Sequence, residues 1–298
     1  MSFPTPPPLP DAAPEPTTCF YHRDRETGRK CTRCGRPACP DCLHQASVGS
    51  HCWECIKAAA PPRREQIRRA VRGNDHLVSS GLIALNTIVF LIGAPDSGIG
   101  SRIGEIQARY ALFAPAIDLE HEWYRLLTSG FVHFGLFHIA MNMFILYQLG
   151  LFMERDIGRV RFMVIYFVSL LGGSAGALVL DPLALTAGAS GAVFGLAAAA
   201  VVAQRQRGTA FTATAFGPFI ILNIVLSFGL NGISLGGHLG GAIAGALCGA
   251  AMLSPYQDAA RVRLGYAVSA AVAAAAVGLA LIAAHSGTQD ACARLFTC

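Results

Sequence analysis

The chain has 298 residues, 53% of them hydrophobic and only 14% charged, with a formal net charge of +5. Soluble domains carry about 25% charge, so a cytosolic enzyme is excluded as the body of this protein. All but two of the 23 basic residues are Arg, and seven of the ten Cys lie between Cys19 and Cys55, so charge and thiols are both local features.

Residues 1–18 are Pro-rich and predict a disordered tail. They hold neither a basic n-region nor an apolar h-region, so no secretory signal peptide is expected. Residues 19–56 form a cysteine-rich head. It offers Cys19, His22, Cys31, Cys34, Cys39, Cys42, Cys52 and Cys55, in four pairs each separated by two residues. A structural zinc takes four such ligands, so eight fit two ions and leave no position open for a catalytic one. Cytoplasmic thiols stay reduced, and about 40 residues build too small a core unaided, so metal is the expected staple. The first pair is expected to join the third and the second the fourth. Sequential pairing is the alternative, and His51 stands beside Cys52 as a substitute ligand.

Residues 57–76 form a basic linker with Lys57, Arg63, Arg64, Arg68, Arg69 and Arg72. Beside a membrane segment such a run reads as contact with anionic headgroups, and no nucleic-acid partner is expected. Seven apolar stretches follow: Leu77–Ala94, Leu126–Met153, Phe162–Leu180, Pro182–Gln204, Thr209–Leu230, Ile233–Leu253 and Leu264–Ala284. Roughly 20 apolar residues cross a bilayer, so the expectation is an all-α polytopic membrane protein with seven spans over residues 77–285. Arginines cluster in the linker and after spans two, four and six. The positive-inside rule then puts the head in the cytoplasm and the tail, 286–298, outside. In that oxidising space Cys292 and Cys298 are placed to pair. The loop 95–125 mixes apolar and polar residues and reads as interfacial.

The spans contain no Asp or Glu, which disfavours an ion-coupled transporter. Their polar residues are few: Asn86, His133, His138, Asn142, Gln148, Ser190, Asn223 and His238. His138 and Asn142 are four apart and share a helix face. His238 sits on a ridge of Gly237, Gly241, Gly245 and Gly249, which admits a neighbouring helix closely. Pro182 and Gly188-Ala189-Ser190-Gly191 make residues 182–189 poor helix. The regular part, Ser190–Ala203, is then only roughly 21 Å long. Its outer end must stop inside the bilayer, where irregular backbone is tolerated only against protein or water. Ser190 therefore opens a submerged pocket, with His138 and His238 in the same half of the membrane. A serine, a histidine and nearby donors are the parts of acyl transfer. Without an intramembrane carboxylate this would be a Ser–His dyad.

These residues resemble the rhomboid intramembrane serine proteases. The likeness rests on Trp123-Tyr124-Arg125, His133, His138-Ile139-Ala140-Met141-Asn142, Gly188-Ala189-Ser190-Gly191, and Gly237-His238 with Gly241 and Gly245. It implies a rhomboid-like bundle, six helices plus a seventh, in a bacterial plasma membrane. By resemblance, Ser190 is the nucleophile and His238 the base; His138, Asn142 and the Ser190 N–H form the oxyanion hole. Phe194 packs on the imidazole. The substrates implied are transmembrane proteins, cut without a catalytic cofactor. Tyr124 separates Trp123 from Arg125, where many members have the pair adjacent. The family also has inactive members, so a non-catalytic client-binding protein is the alternative. The head resembles a B-box-type zinc module and is suited to recruiting a cytoplasmic protein partner.

Overall fold

The computed structural model describes residues 17–46, 48–59, 76–97, 102–208, 234–255 and 258–295, in two compact units that divide after Gly73. In the first unit β1 (Thr17–Thr18) pairs antiparallel with β2 (Glu26–Thr27), and β3 (Leu43–Gln45) with β4 (Ser50–Cys52). β4 runs directly into α1 (Trp53–Ala59). Its buried apolar cluster is Cys19, Ala38 and Cys39, with Tyr21, Cys42 and Leu43 packed against it. So small a core leaves cohesion to the cysteines.

The second unit is helical. Its elements are α2 (Leu77–Ser97), α3 (Glu105–Tyr110), α4 (Ala114–Leu119), α5 (Arg125–Thr128), α6 (Leu136–Ile157), α7 (Arg159–Leu180), α8 (Ser190–Gln206), α9 (Leu235–Met252) and α10 (Ala259–Leu295). Among the described residues five helices are long and apolar enough to cross a membrane: α2, α6, α7, α9 and α10. α8 has 17 residues, about 25 Å at 1.5 Å each, and falls short of a bilayer core of about 30 Å. The span expected over Thr209–Leu230 lies outside the described residues.

Two boundaries differ from the sequence reading. α6 begins at Leu136 rather than Leu126, because Gly135 adopts φ 85°, a left-handed backbone that ends regular structure on its N-terminal side. Residues 125–131 form one helical turn and a 3-10 turn instead. The final helix continues through Leu295, so residues 286–295, expected as tail, are helical.

Glycine sets the central packing. The expected ridge on α9 meets α8: a Cβ on Gly241 or Gly245 would overlap backbone of Gly191 or Gly195. A second face of α9, unforeseen from sequence, meets α7. There Gly236 and Gly240 lie against Gly176 and Gly172 so closely that a Cβ would collide with main-chain carbonyls. One helix thus presses its backbone on two others. α10 lays Ala276, Ala280, Ala283 and Ala284 into a cluster with Ala175, Leu178, Leu112 and Ile117, tying the segment between α2 and α6 to α7.

Two buried charged side chains of this unit find their partners in distant parts of the chain. Glu154, near the end of α6, is buried and accepts from Val78 N (2.7 Å), Ser79 N (2.8 Å) and Ser79 Oγ (2.8 Å). It therefore caps the N-terminus of α2, where an anion is favoured by orphan N–H groups and the helix dipole. Arg125 is likewise buried and donates to Ala108 O (2.8 Å), Ala111 O (2.7 Å) and Glu122 Oε2 (2.6 Å). The Tyr124 hydroxyl donating to it, and Arg125 beside it, hold the Glu122 carboxyl below its usual range against the effect of burial.

Close glycine contacts are testable. Gly245→Ala should lower stability by about 1–3 kcal/mol, as overpacking does, whereas Gly278→Ala, where nothing lies within 4 Å, should be neutral. Thermal unfolding of both proteins in detergent reads the difference, and equal midpoints would contradict this packing.

Candidate active site and metal centres

Ser190 stands at the head of α8 because the residues before it are held out of helix by other partners. Leu112 N donates to Thr186 O (2.7 Å) and Thr186 N to Leu112 O (3.0 Å), a two-way bridge between the α3–α4 connection and this segment. Gly188 N donates to Ser129 O (2.8 Å), and Ala189 N to His133 Nε2 (3.3 Å). Irregular backbone at this depth is thereby satisfied by protein, as it must be away from water.

A cavity of about 960 Å³ opens here, and Ser190, His138, Asn142, His238 and Phe194 all line it. His238 sits in the second turn of α9, whose start is fixed by Ser234: its side chain accepts from Gly237 N at 3.1 Å. The His238 ring stacks on Phe194, one turn after Ser190, with centroids 4.1 Å apart and planes 12° from parallel. Its Nδ1 is buried with no hydrogen-bond partner among the described residues. No Ser190–His238 hydrogen bond is formed among the described residues; such bonds are commonly long without substrate.

His138 accepts from Phe134 N at Nδ1 (3.4 Å). An accepting Nδ1 puts the ring proton on Nε2. That edge faces the site: a Cβ on Gly188 would lie 2.7 Å from His138 Nε2 and 3.8 Å from Ser190 Oγ. Only glycine, at φ 129°, fits there. Asn142 is buried and gives one amide proton to His138 O (3.0 Å), leaving the other for the cavity.

In the sequence His133 stood as a polar residue that shares in the resemblance, without a role of its own. Its contact with Ala189 N makes it a support for the Ser190 turn, and its ring packs edge-on to His138 at 5.0 Å. Gln107 was missed entirely; it is buried and donates to His133 O at 3.4 Å. A polar residue in a loop of mixed character carries no periodic signal that could have marked it.

In the first unit, the ligand atoms of Cys19, His22, Cys39 and Cys42 lie within 4.8 Å of one another, and so do those of Cys31, Cys34, Cys52 and Cys55. First pair meets third and second meets fourth; Cys52, not His51, is in the second cluster. His22 Nδ1 is 3.2, 3.5 and 3.9 Å from the sulfurs of Cys42, Cys39 and Cys19, and Cys34 Sγ is 3.7 Å from Cys52 Sγ. Tetrahedral zinc requires ligand separations of about 3.5–3.8 Å. The donor sets fit. Burial pushes the Cys19 and Cys31 thiols up, but backbone and neighbouring hydrogen bonds outweigh it and hold both at about 6, the thiolate form a metal takes.

Residues 120–255 match the model of the Rhomboid domain. Rhomboid protease GluP of Bacillus subtilis is 32% identical over 211 residues, 70% of this chain and 41% of its own. RHOMBOID-like protein 1 of Arabidopsis thaliana is 32% identical over 120 residues, 40% of this chain and 31% of its own. Inactive RHOMBOID-like protein 8 of the same plant is 33% identical over 102 residues, 34% of this chain and 29% of its own. The chain spans less than half the length of each of these relatives. With apolar helices, rhomboid protease homologues and a match over residues 120–255, this integral membrane protein carries a Rhomboid domain.

Proposed function

We propose that the protein is an intramembrane serine protease that hydrolyses a peptide bond of a transmembrane protein through a Ser190–His238 dyad. The observation that carries this reading is Ser190 heading a short helix into the cavity that the Phe194-clamped His238 also lines. His238 Nε2 takes the proton of Ser190 Oγ as the oxygen attacks the scissile carbonyl. The oxyanion accepts from His138 Nε2–H, the free Asn142 amide proton and the Ser190 backbone N–H at a helix N-terminus. His238 then protonates the leaving amine, and water releases the acyl group by the reverse proton path. Ring stacking orients the imidazole where a triad would use a carboxylate. A substrate helix must unwind to offer its carbonyl, so substrates with Gly or Pro near the end of their span are favoured. Two side-chain donors beside the Ser190 N–H favour catalysis over client binding alone.

The domain reading belongs to the same proposal. Residues 19–56 are a cytoplasmic structural zinc module, 57–76 a basic linker and 77–285 the protease. Cys19, His22, Cys39 and Cys42 hold one zinc, and Cys31, Cys34, Cys52 and Cys55 a second; the metal supplies fold cohesion there.

Purified protein in liposomes with a panel of single-span substrates tests the chemistry. Ser190→Ala and His238→Ala should abolish cleavage. Asn142→Ala should retain a residue of activity, about 10² to 10³ below wild type in kcat, and Phe194→Ala should also be slow. Cleavage surviving in Ser190→Ala, with host proteases excluded, would falsify the mechanism.

His133 should act at one remove. His133→Ala should lower kcat, whereas His133→Gln, whose Oε1 can accept from Ala189 N, should recover part of it. Equal loss in both variants would argue against that hydrogen bond as the support.

Metal content of the full-length protein should approach two zincs, from four ligands each. Cys31→Ser should bring it to about one, and chelation should render residues 17–59 protease-sensitive. A metal-free chain with this segment still protected would refute the zinc assignment.

A further inference from the structure

The Cys31–Cys34–Cys52–Cys55 cluster gathers more than thiols. Because its four sulfurs lie within 4.8 Å, the two short loops that carry them, 31–34 and 52–55, converge on one end of the module. Arg33 projects from the first loop and Trp53 from the second, and both are exposed. The β3–β4 hairpin reaches the same end, where Thr32 N donates to Ser50 O at 2.9 Å. Trp53, directly after β4, is 60% exposed. Lys57 follows Trp53 by four residues on α1 and so shares its helix face. Neither Arg33 nor Lys57 has an ion-pair partner among the described residues.

We propose that this end of the module, Trp53, Arg33 and Lys57, docks on the surface of an anionic lipid bilayer. An indole flanked by unpaired cations matches the interfacial layer, where Trp is favoured and basic side chains meet phosphate. The tether supplies the second argument. From Ala59 to Leu77, where the first membrane helix starts, there are 18 residues, at most about 60 Å of extended chain. The module can never leave the neighbourhood of the membrane, so even a weak surface contact is populated by effective concentration. Charge complementarity selects the lipid: each unpaired basic residue near an anionic surface strengthens binding about fivefold.

The sequence holds two tryptophans, so Trp123→Phe leaves Trp53 as the sole fluorophore of the full-length protein. That protein goes into nanodiscs whose lipids carry bromine near the top of the acyl chain, either phosphatidylglycerol or phosphatidylcholine. Trp53 emission should be quenched in the anionic discs and much less in the neutral ones. Arg33→Glu with Lys57→Glu should relieve the quenching, corresponding to association weakened by about 25-fold or more. Unchanged zinc content shows that the charge-reversed module is still folded. Equal quenching in both lipids, quenching insensitive to the charge reversal, or no quenching at all would overturn the proposal. A blue-shifted but unquenched Trp53 would overturn it too, since another protein surface, a second copy included, would then cover the indole.

Discussion

Everything in the membrane unit depends on how closely α9 can approach its neighbours. Lipid tails are as apolar as leucine, so helices in a bilayer gain nothing by hiding apolar surface from each other and associate through close van der Waals contact. α9 obtains that contact twice, through Gly236 and Gly240 against α7 and through Gly241 and Gly245 against α8. The double contact also has a chemical result. His238 rides on the helix being pressed inward, and Ser190 starts the helix that receives it. Smooth backbone surfaces therefore set the distance between Ser190 and His238.

A second constraint acts on the backbone that is not helical. The segment before Ser190 has peptide groups that neither helix nor water can satisfy at that depth. The loop between α2 and α6 takes over: Leu112 bridges Thr186, Ser129 accepts from Gly188, and His133 accepts from Ala189. That loop is in turn held by the buried guanidinium of Arg125 and by the alanines of α10. Residues far from the cavity thus share in keeping one helix short.

Much of this was legible in the sequence, and for identifiable reasons. Apolar runs free of charge mark helices because a bilayer admits little else. Pro182 and the Gly188–Gly191 cluster announced the late start of α8, and regular Cys spacing announced two four-ligand groups. The expected ridge on α9 is visible because its glycines recur every four residues. Its second face was hidden, since Gly236 and Gly240 are completed by an alanine, Ala244, and one pair of glycines makes no period. The start of α6 was misjudged because Leu126 to Phe131 is as apolar as a helix; only the left-handed Gly135, a property of backbone rather than composition, ends it. His133 and Gln107 could not be assigned from sequence, because their partners are main-chain groups, which every residue supplies alike.

Glu154 has a mechanical consequence. Its carboxylate grips Val78 and Ser79, the second and third residues of α2, so the chain enters the bundle at a clamp rather than at a frayed helix end. The helix that bears this clamp near one terminus carries His138 and Asn142 at the other. Tension arriving along the polypeptide before Leu77 is therefore passed by the Glu154 carboxylate into the rod that carries His138 and Asn142.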